Sequence, residues 1–253
     1  MDIQSPIMAT FSPGSAMRIG ILQTGRVPDH LLNDYVDYPE MFEQLLLAED
    51  PALTFQNYPV LDNVFPDDIG ECDAYLMTGS RAGTYDDYDW IEPAEQILRD
   101  IVAAEIPVVG ICFGHQLIAQ AFGGKSEKSA KGWGQGLHSW EIEQPAWWMD
   151  SESELFSLHV SHQDQVVELP PGAVTLASSE FCQYAAFQYG DYAIGIQGHP
   201  EIAREYSQEI MNMRREMIGE DVYCDGVASL ASDHDAPVVA RWMLRFMRGP
   251  QRG

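Results

Sequence analysis

The chain has 253 residues, of which 45% are hydrophobic, so it can bury one sizeable core. Its 39 Asp and Glu and 14 Lys and Arg give a formal net charge of −25, which argues against nucleic acid and anionic membrane surfaces as partners. The cysteines (Cys72, Cys112, Cys182 and Cys224) form no CxxC pair, which gives little support to a zinc or thioredoxin-type site. We expect neither a metal nor a cofactor.

The first residues lack the features of a targeting signal. Residues 1–16 contain no Lys or Arg and no apolar block, so we expect a loose leader rather than a secretory signal peptide. No apolar run approaches the ~18 residues that suggest a membrane span, and a cytoplasmic location is the default expectation. Residues 17–253 are predicted to form one domain, in which 203–253 is a helical C-terminal extension.

Strands and helices are predicted to alternate along the N-terminal half. Short apolar runs predict strands, and apolar residues at helical spacing predict the helices between them. This alternation favours an α/β fold with a mostly parallel central sheet and helices on both of its faces. The predicted strands are 17–22, 52–60, 73–79 and 106–111, and the predicted helices are 38–49, 90–105 and 113–124.

The second half is predicted to be richer in strands. Helices are predicted only near its end, at 201–219 and 237–248, and the polar, acidic segment between them is expected to be a loop. The predicted strands are 136–142, 173–179, 182–190 and 192–200.

The stretch GICFGHQ, residues 110–116, places Cys112 between a predicted strand and a predicted helix. With Gly110 and Gly114 on either side, this pattern is typical of a nucleophile elbow with cysteine in place of serine. The N–H groups at the start of the helix favour the thiolate, which is the attacking form. The alternative is a buried structural thiol, because free cysteine is among the most buried residue types.

A second stretch, GIQGHPE at 195–201, supplies a candidate base. Pro200 favours extended backbone at His199, and residues two apart on extended chain project to the same side. His199 and Glu201 can therefore act as a base and the group that orients it. Taken singly, His199 could equally be a capping or surface residue, and Glu201 an acidic residue that opens the next helix.

Attack by a thiolate creates an oxyanion that needs hydrogen-bond donors. The backbone N–H of Phe113, directly after the candidate nucleophile, is one candidate. Gly79, in the turn MTGSRAG that follows the third predicted strand, is the other. An ordinary Gly/Ser turn is the alternative interpretation of Gly79.

Together these motifs resemble the class I glutamine amidotransferases, whose core carries a G-x-C-x-G-x-Q elbow and a distal G-H-P-E. The matching residues are Gly110, Cys112, Gly114 and Gln116, followed by 198–201. The resemblance covers roughly residues 17–205 and implies a single flavodoxin-like domain. Within the family, the chain is most similar to stand-alone members, labelled GMP-synthase-like amidotransferases and γ-glutamyl peptidases.

The resemblance implies a mechanism. Cys112 attacks the side-chain amide of glutamine or another γ-glutamyl bond, and His199, oriented by Glu201, transfers the protons. Gly79 and Phe113 donate to the oxyanion, and water then hydrolyses a γ-glutamyl thioester.

The resemblance also implies how the amino-acid end of the substrate is held. Gln116 takes part, together with a segment that is S-H-G-D-like in the family. Here that segment is Ser161, His162, Gln163 and Asp164, so Gln163 replaces the family's glycine. Trp133, Trp140, Trp147 and Trp148 are expected mainly in core or lid packing, with the lining of a leaving-group pocket as the alternative.

Alternative functions stay open from the sequence. The chain has no ATP-binding fingerprint, so it is a free-standing hydrolase, which we favour, or a glutaminase subunit that passes ammonia to a separate synthetase. A cysteine hydrolase in which a histidine directly follows the nucleophile is disfavoured, because Phe113 occupies that position. A catalytically silent regulatory or binding protein is disfavoured because Cys112, His199 and Glu201 are all present.

Overall fold

A computed structural model of the chain describes residues 16–150 and 152–250. The predicted leader, residues 1–16, lies outside the described residues except for its last position. No helix in the described ranges is long and apolar enough to cross a membrane.

The N-terminal half alternates strands and helices in the predicted order. Each element lies within or close to its predicted range. The bounds are β1 Arg18–Leu22, α1 Tyr38–Leu47, β2 Thr54–Tyr58, β3 Ala74–Met77, α2 Ile91–Ala103, β4 Val108–Ile111 and α3 Phe113–Ala121.

The second half contains seven strands followed by three helices. The strands are β5 Lys125–Lys128, β6 Gly134–Ile142, β7 Leu155–His162, β8 Asp164–Glu168, β9 Val174–Ser178, β10 Ala186–Tyr189 and β11 Ala193–Ile196. The helices are α4 Arg204–Ile218, α5 Glu220–Ser229 and α6 Ala236–Arg248.

Nine strands form one sheet in the order β2-β1-β3-β4-β11-β10-β9-β6-β7, and β5 and β8 form a separate pair. The five strands from β2 to β11 are parallel to one another, and the remaining four are antiparallel to their neighbours. Strand β11 belongs to the parallel part although it is the last strand in the chain. It therefore brings the end of the β-rich half next to β4.

The sheet is buried on both faces. Alternate residues of β3 illustrate this, because Leu76 belongs to the core cluster that includes α1 and α6, whereas Tyr75 and Met77 belong to the cluster that includes α2 and α3. Such two-sided burial explains why the parallel strands are short, nearly continuous apolar runs.

The acidic segment after α4 is not a loop, so that prediction was wrong. Residues Glu220–Ser229 form α5, which packs against β6. Glu220 and Asp221 occupy its first turn, where acidic side chains are favoured by the helix dipole. Val222 and Val227 pack around buried Met211 of α4. The acidic composition hid a short amphipathic pattern. Strands β5, β7 and β8 were not predicted either.

Candidate active site

Three neighbouring parallel strands end at the same edge of the sheet, and each is followed by one residue of the candidate site. Gly79 lies two residues after β3, Cys112 directly follows β4, and His199 lies three residues after β11. Strand β4 lies between β3 and β11. Open parallel sheets characteristically bind ligands at the carboxyl ends of their strands.

Cys112 has a strained backbone conformation. Its φ is 52° and its ψ is −99°, and α3 begins at the next residue, Phe113. Its backbone N–H donates to the carbonyl oxygen of Ile196 in β11 at 2.9 Å. A positive φ at a residue other than glycine costs about 1–3 kcal/mol and occurs mainly at functional sites.

The glycines on either side of Cys112 allow α3 to approach the sheet. A Cβ atom added to Gly110 would lie 2.4 Å from the carbonyl carbon of Gly114. One added to Gly114 would lie 2.5 Å from the carbonyl oxygen of Met77 in β3. Neither position has room for a larger residue, which explains the G-x-C-x-G pattern.

His199 and Glu201 form a buried pair. The Nδ1–H of His199 donates to Oε1 of Glu201 at 2.7 Å, and both residues are buried. The backbone N–H of His199 donates to the carbonyl oxygen of His159 in β7 at 2.8 Å, as an isolated antiparallel bridge. The ring is therefore fixed through its backbone and through one of its nitrogens.

The pKa of His199 is raised to about 10. Burial of the ring acts in the opposite direction, because desolvation disfavours the charged form. The Coulombic attraction of Glu201 and Cys112, together with hydrogen bonding, outweighs it. His199 is thus a proton-binding group beside the thiol, where it stabilises negative charge on sulfur.

Gly79 lies against both side chains. A Cβ atom added there would be 2.8 Å from Cε1 of His199 and 3.6 Å from Cβ of Cys112. Its carbonyl oxygen accepts a hydrogen bond from Oγ1 of Thr24 at 3.1 Å, which fixes the turn. Only glycine lets the backbone come this close to the cysteine and histidine.

Cys112 opens onto a cavity of about 540 Å³. This volume lies in the range of about 300–1,000 Å³ that is usual for small-molecule sites. Its walls come from the turn after β3, from α3, from the β7–β8 junction and from α4. The lining residues are Ser80, Arg81, Ala82, Gly83, Tyr85, Asp86, Cys112, Gln116, Lys128, Trp133, Ser161, His162, Gln163, Asp164, Arg214 and Met217.

Gln116 connects α3 to the β7–β8 junction. Its Nε2 donates to the carbonyl oxygen of Asp164 at 2.8 Å and to Oε1 of Gln197 at 3.2 Å. Because both amide hydrogens are used within the protein, Gln116 fixes the Asp164 backbone beside the cavity.

The segment 161–164 forms the β7–β8 junction. Oγ of Ser161 donates to Oε1 of Gln135 at 3.0 Å, and the ring of His162 is hydrogen-bonded through Nδ1 to the carbonyl oxygen of Asp164 at 2.9 Å. Burial lowers the pKa of His162 to about 3, so its ring is neutral. Gln163 does not have a positive φ, so a side chain replaces the family's glycine without left-handed strain.

The structure adds residues that the sequence did not single out. Arg81 follows the Gly79 turn, and Arg214 reaches the cavity from α4, which lies far from the motifs in the sequence. Of the four tryptophans considered, Trp133 lines the cavity, whereas Trp140 and Trp148 are core residues and Trp147 is half exposed. Lys128, Tyr85 and Asp86 also line it.

No three His, Cys, Asp or Glu side chains in residues 16–150 and 152–250 gather in a way that could hold a metal ion.

The sequence matches a known family and named relatives. The family model described as glutamine amidotransferase class-I matches residues 65–215. Gamma-glutamyl peptidase 3 of Arabidopsis thaliana is 36% identical over 163 residues, which cover 61% of this chain and 66% of that protein. One subunit of the glutamine-hydrolysing GMP synthase of Pyrococcus abyssi is 38% identical over 135 residues, covering 50% and 68%. The match spans just under two thirds of the length of the plant peptidases.

Solved structures share the fold. A glutamine amidotransferase from Thermotoga maritima superposes with a TM-score of 0.69 at 18% identity, over 93% of this chain and 97% of that one. Another, from Methylobacillus flagellatus, gives a TM-score of 0.68 at 23% identity, over 94% and 96%. The predicted fold class and the predicted family are both confirmed.

Proposed function

The chain belongs to the class I glutamine amidotransferase family, and on that premise we propose that it hydrolyses the γ-glutamyl amide bond of glutamine or of a γ-glutamyl compound. The observation that carries the proposal is the junction of β4 and α3. There a strained Cys112 faces the cavity, and a hydrogen-bonded His199–Glu201 pair follows the neighbouring strand.

In the proposed first step, the Cys112 thiol gives its proton to His199 and the thiolate attacks the γ-carbonyl carbon. The resulting oxyanion accepts hydrogen bonds from the backbone N–H groups of Gly79 and Phe113. Phe113 is the first residue of α3, where N–H groups have no partner within the helix. Glu201 holds His199 in the required tautomer and stabilises its cation.

In the second step the tetrahedral intermediate collapses. The carbon–nitrogen bond breaks, His199 protonates the leaving amine, and a γ-glutamyl thioester remains on Cys112. Water, deprotonated by His199, attacks the thioester and releases glutamate and the free thiol. Such a cycle needs a reduced thiol, which agrees with a reducing, cytoplasmic location.

The amino-acid end of the substrate is proposed to bind at Gln116 and at the junction formed by Ser161, His162 and Gln163. Both amide hydrogens of Gln116 are engaged, so its carbonyl oxygen is the group left for the substrate's ammonium. His162 is buried and neutral, so it shapes this wall rather than contributing charge.

We favour a free-standing hydrolase over a glutaminase subunit. The plant relatives are named gamma-glutamyl peptidases, and such an activity needs no second protein. The similarity to one subunit of a glutamine-hydrolysing GMP synthase keeps the second candidate, in which ammonia passes to a separate synthetase.

The test is glutamate release by the purified protein, offered glutamine and a panel of γ-glutamyl amides and peptides. Cys112→Ser should abolish turnover, while Cys182→Ser, at another buried free cysteine, should retain it. A γ-glutamyl adduct on Cys112, seen by mass spectrometry, would identify the thioester. Turnover that survives in Cys112→Ser would refute the mechanism, and weak turnover that a synthetase stimulates would favour the ammonia-donor role.

A further inference from the structure

The cavity above Cys112 contains two arginines that have no acidic partner. Most Lys and Arg side chains in the described residues form ion pairs with carboxylates. Arg81 and Arg214 form none within those residues, although the chain carries a net charge of −25. Unpaired arginines facing a cavity in so acidic a protein favour an anionic ligand.

Arg214 is held in place for such a ligand. Its Nη1 donates to Oγ of Ser161 at 2.6 Å and to the Ser161 carbonyl oxygen at 3.3 Å. Its guanidinium carbon lies 5.5 Å from the ring centroid of Trp133, in a cation–π contact. A guanidinium has five N–H donors, and in the described part of the chain only Nη1 is engaged. The other donors remain for a ligand.

Arg81 supplies a second positive charge close to the first. It lies two residues after Gly79 and lines the same cavity. Burial lowers the pKa of Arg214, and the positive charge of Arg81 lowers it further. Two like charges that oppose each other in this way are both stabilised when an anion binds between them.

The charges of the cavity are separated into two ends. Asp164 interacts with Tyr85, Lys128 and Asp86 and belongs to the end that is bonded to Gln116. Arg214 interacts instead with Arg81 and with tyrosines at its own end, including Tyr38 and Tyr206. If the glutamyl end of the substrate binds near Gln116, the basic end faces the group that leaves.

We propose that Arg81 and Arg214 bind a carboxylate on the leaving group, so that this site prefers γ-glutamyl peptides with a free carboxylate to glutamine and to uncharged γ-glutamyl amides. The inference rests on the proposed γ-glutamyl hydrolase function and names its substrate class. It also gives α4, in the predicted C-terminal extension, a part in specificity.

The test compares γ-glutamylglycine with γ-glutamylglycinamide, which differ only in the charge of the leaving group. The wild type should show a kcat/KM ratio of about ten or more in favour of the carboxylate. Arg81→Gln and Arg214→Gln should each bring the ratio close to one, mainly by raising KM for γ-glutamylglycine. Lys128→Gln removes another positive charge from the cavity lining and should leave the ratio unchanged.

Several outcomes would overturn the inference. A wild-type ratio near one would do so, as would a high ratio that both arginine variants keep. Equal losses on both substrates would assign the arginines to the glutamyl carboxylate instead. Thermal melting of each variant, and Arg214→Lys as a charge-preserving second variant, separate a binding defect from misfolding. Failure of the proposed function looks different, because neither substrate would be cleaved in a Cys112-dependent way.

Discussion

The Nδ1 atom of His199 lies 2.7 Å from Oε1 of Glu201, and the Glu201 side chain is completely shielded from solvent. Oε2 of the same carboxylate has no hydrogen-bond partner within the described residues. A buried carboxylate with one unsatisfied oxygen is unfavourable unless a cation lies beside it. The pair is therefore stable chiefly with His199 protonated, which suits a base that receives the proton of Cys112.

Replacing Glu201 by Gln should lower kcat by about a hundredfold or more, with a smaller effect on KM. The amide keeps the shape of the carboxylate but no longer stabilises the imidazolium or fixes its tautomer. Steady-state kinetics on the best γ-glutamyl substrate give the measurement. Glu205→Gln, the same change at an exposed position on α4, serves as the matched control. Full activity in Glu201→Gln would remove Glu201 from the mechanism.

The His199–Glu201 pair also predicts a pH dependence of stability. The folded protein raises the pKa of His199 to about 10, against about 6.5 in an unfolded chain. A raised pKa gives stability that is fully present below the unfolded pKa and is lost as the pH rises through the folded pKa. The stabilisation should therefore decline between pH ~6.5 and ~10.

Urea unfolding of the wild type and of the double variant His199→Gln, Glu201→Gln gives the comparison. The difference in unfolding free energy should be greatest near the lower end of that range and shrink towards its upper end. Both proteins keep all other titrating groups, so their contributions largely cancel. A difference that grows with pH would contradict a protonated His199 in the folded state.

The sequence predicted the parts of the site that depend on local pattern. Cys112, Gly79 and His199 each follow a short apolar strand, and parallel strands end at one edge of a sheet. Three local motifs therefore sufficed to place these residues close together. The strained φ of Cys112 could also be expected, because the flanking glycines indicate a sharp strand-to-helix turn.

The rest depends on tertiary contacts that no local pattern carries. Arg214 lies on a helix whose sequence resembles that of any amphipathic helix, and it reaches the cavity only because α4 packs against β6 and β7. Helix α5 was mistaken for a loop because acidic residues dominate its sequence. Its hydrophobic contacts with Met211 and its packing on β6 stabilise it.

Gly79→Ala should reduce kcat by about a hundredfold, an effect comparable to the loss of an oxyanion-hole donor. The added Cβ would lie 2.8 Å from Cε1 of His199, so the ring or the turn must move. Gly70→Ala adds the same methyl group at an exposed position, where the nearest atom is a flexible Asp68 oxygen at 3.2 Å. That control should keep wild-type kinetics. Equal activity in both variants would show that Gly79 is an ordinary turn residue.

The strain at Cys112 predicts an unusual order of stability among inactive variants. Its φ of 52° favours glycine, so Cys112→Gly should be more stable than Cys112→Ala by about 1 kcal/mol. This net value allows for the ~0.5–1 kcal/mol that glycine loses to alanine through the entropy of the unfolded chain. Chemical denaturation of the two variants gives the difference.

Cys182 provides the matched control for that order. It is another buried cysteine, but its φ is not positive. Cys182→Gly should therefore be less stable than Cys182→Ala, the reverse of the order at Cys112. The same order at both positions would mean that the Cys112 turn is not strained. A reversed order would show that the fold holds the nucleophile in a conformation that its own backbone disfavours.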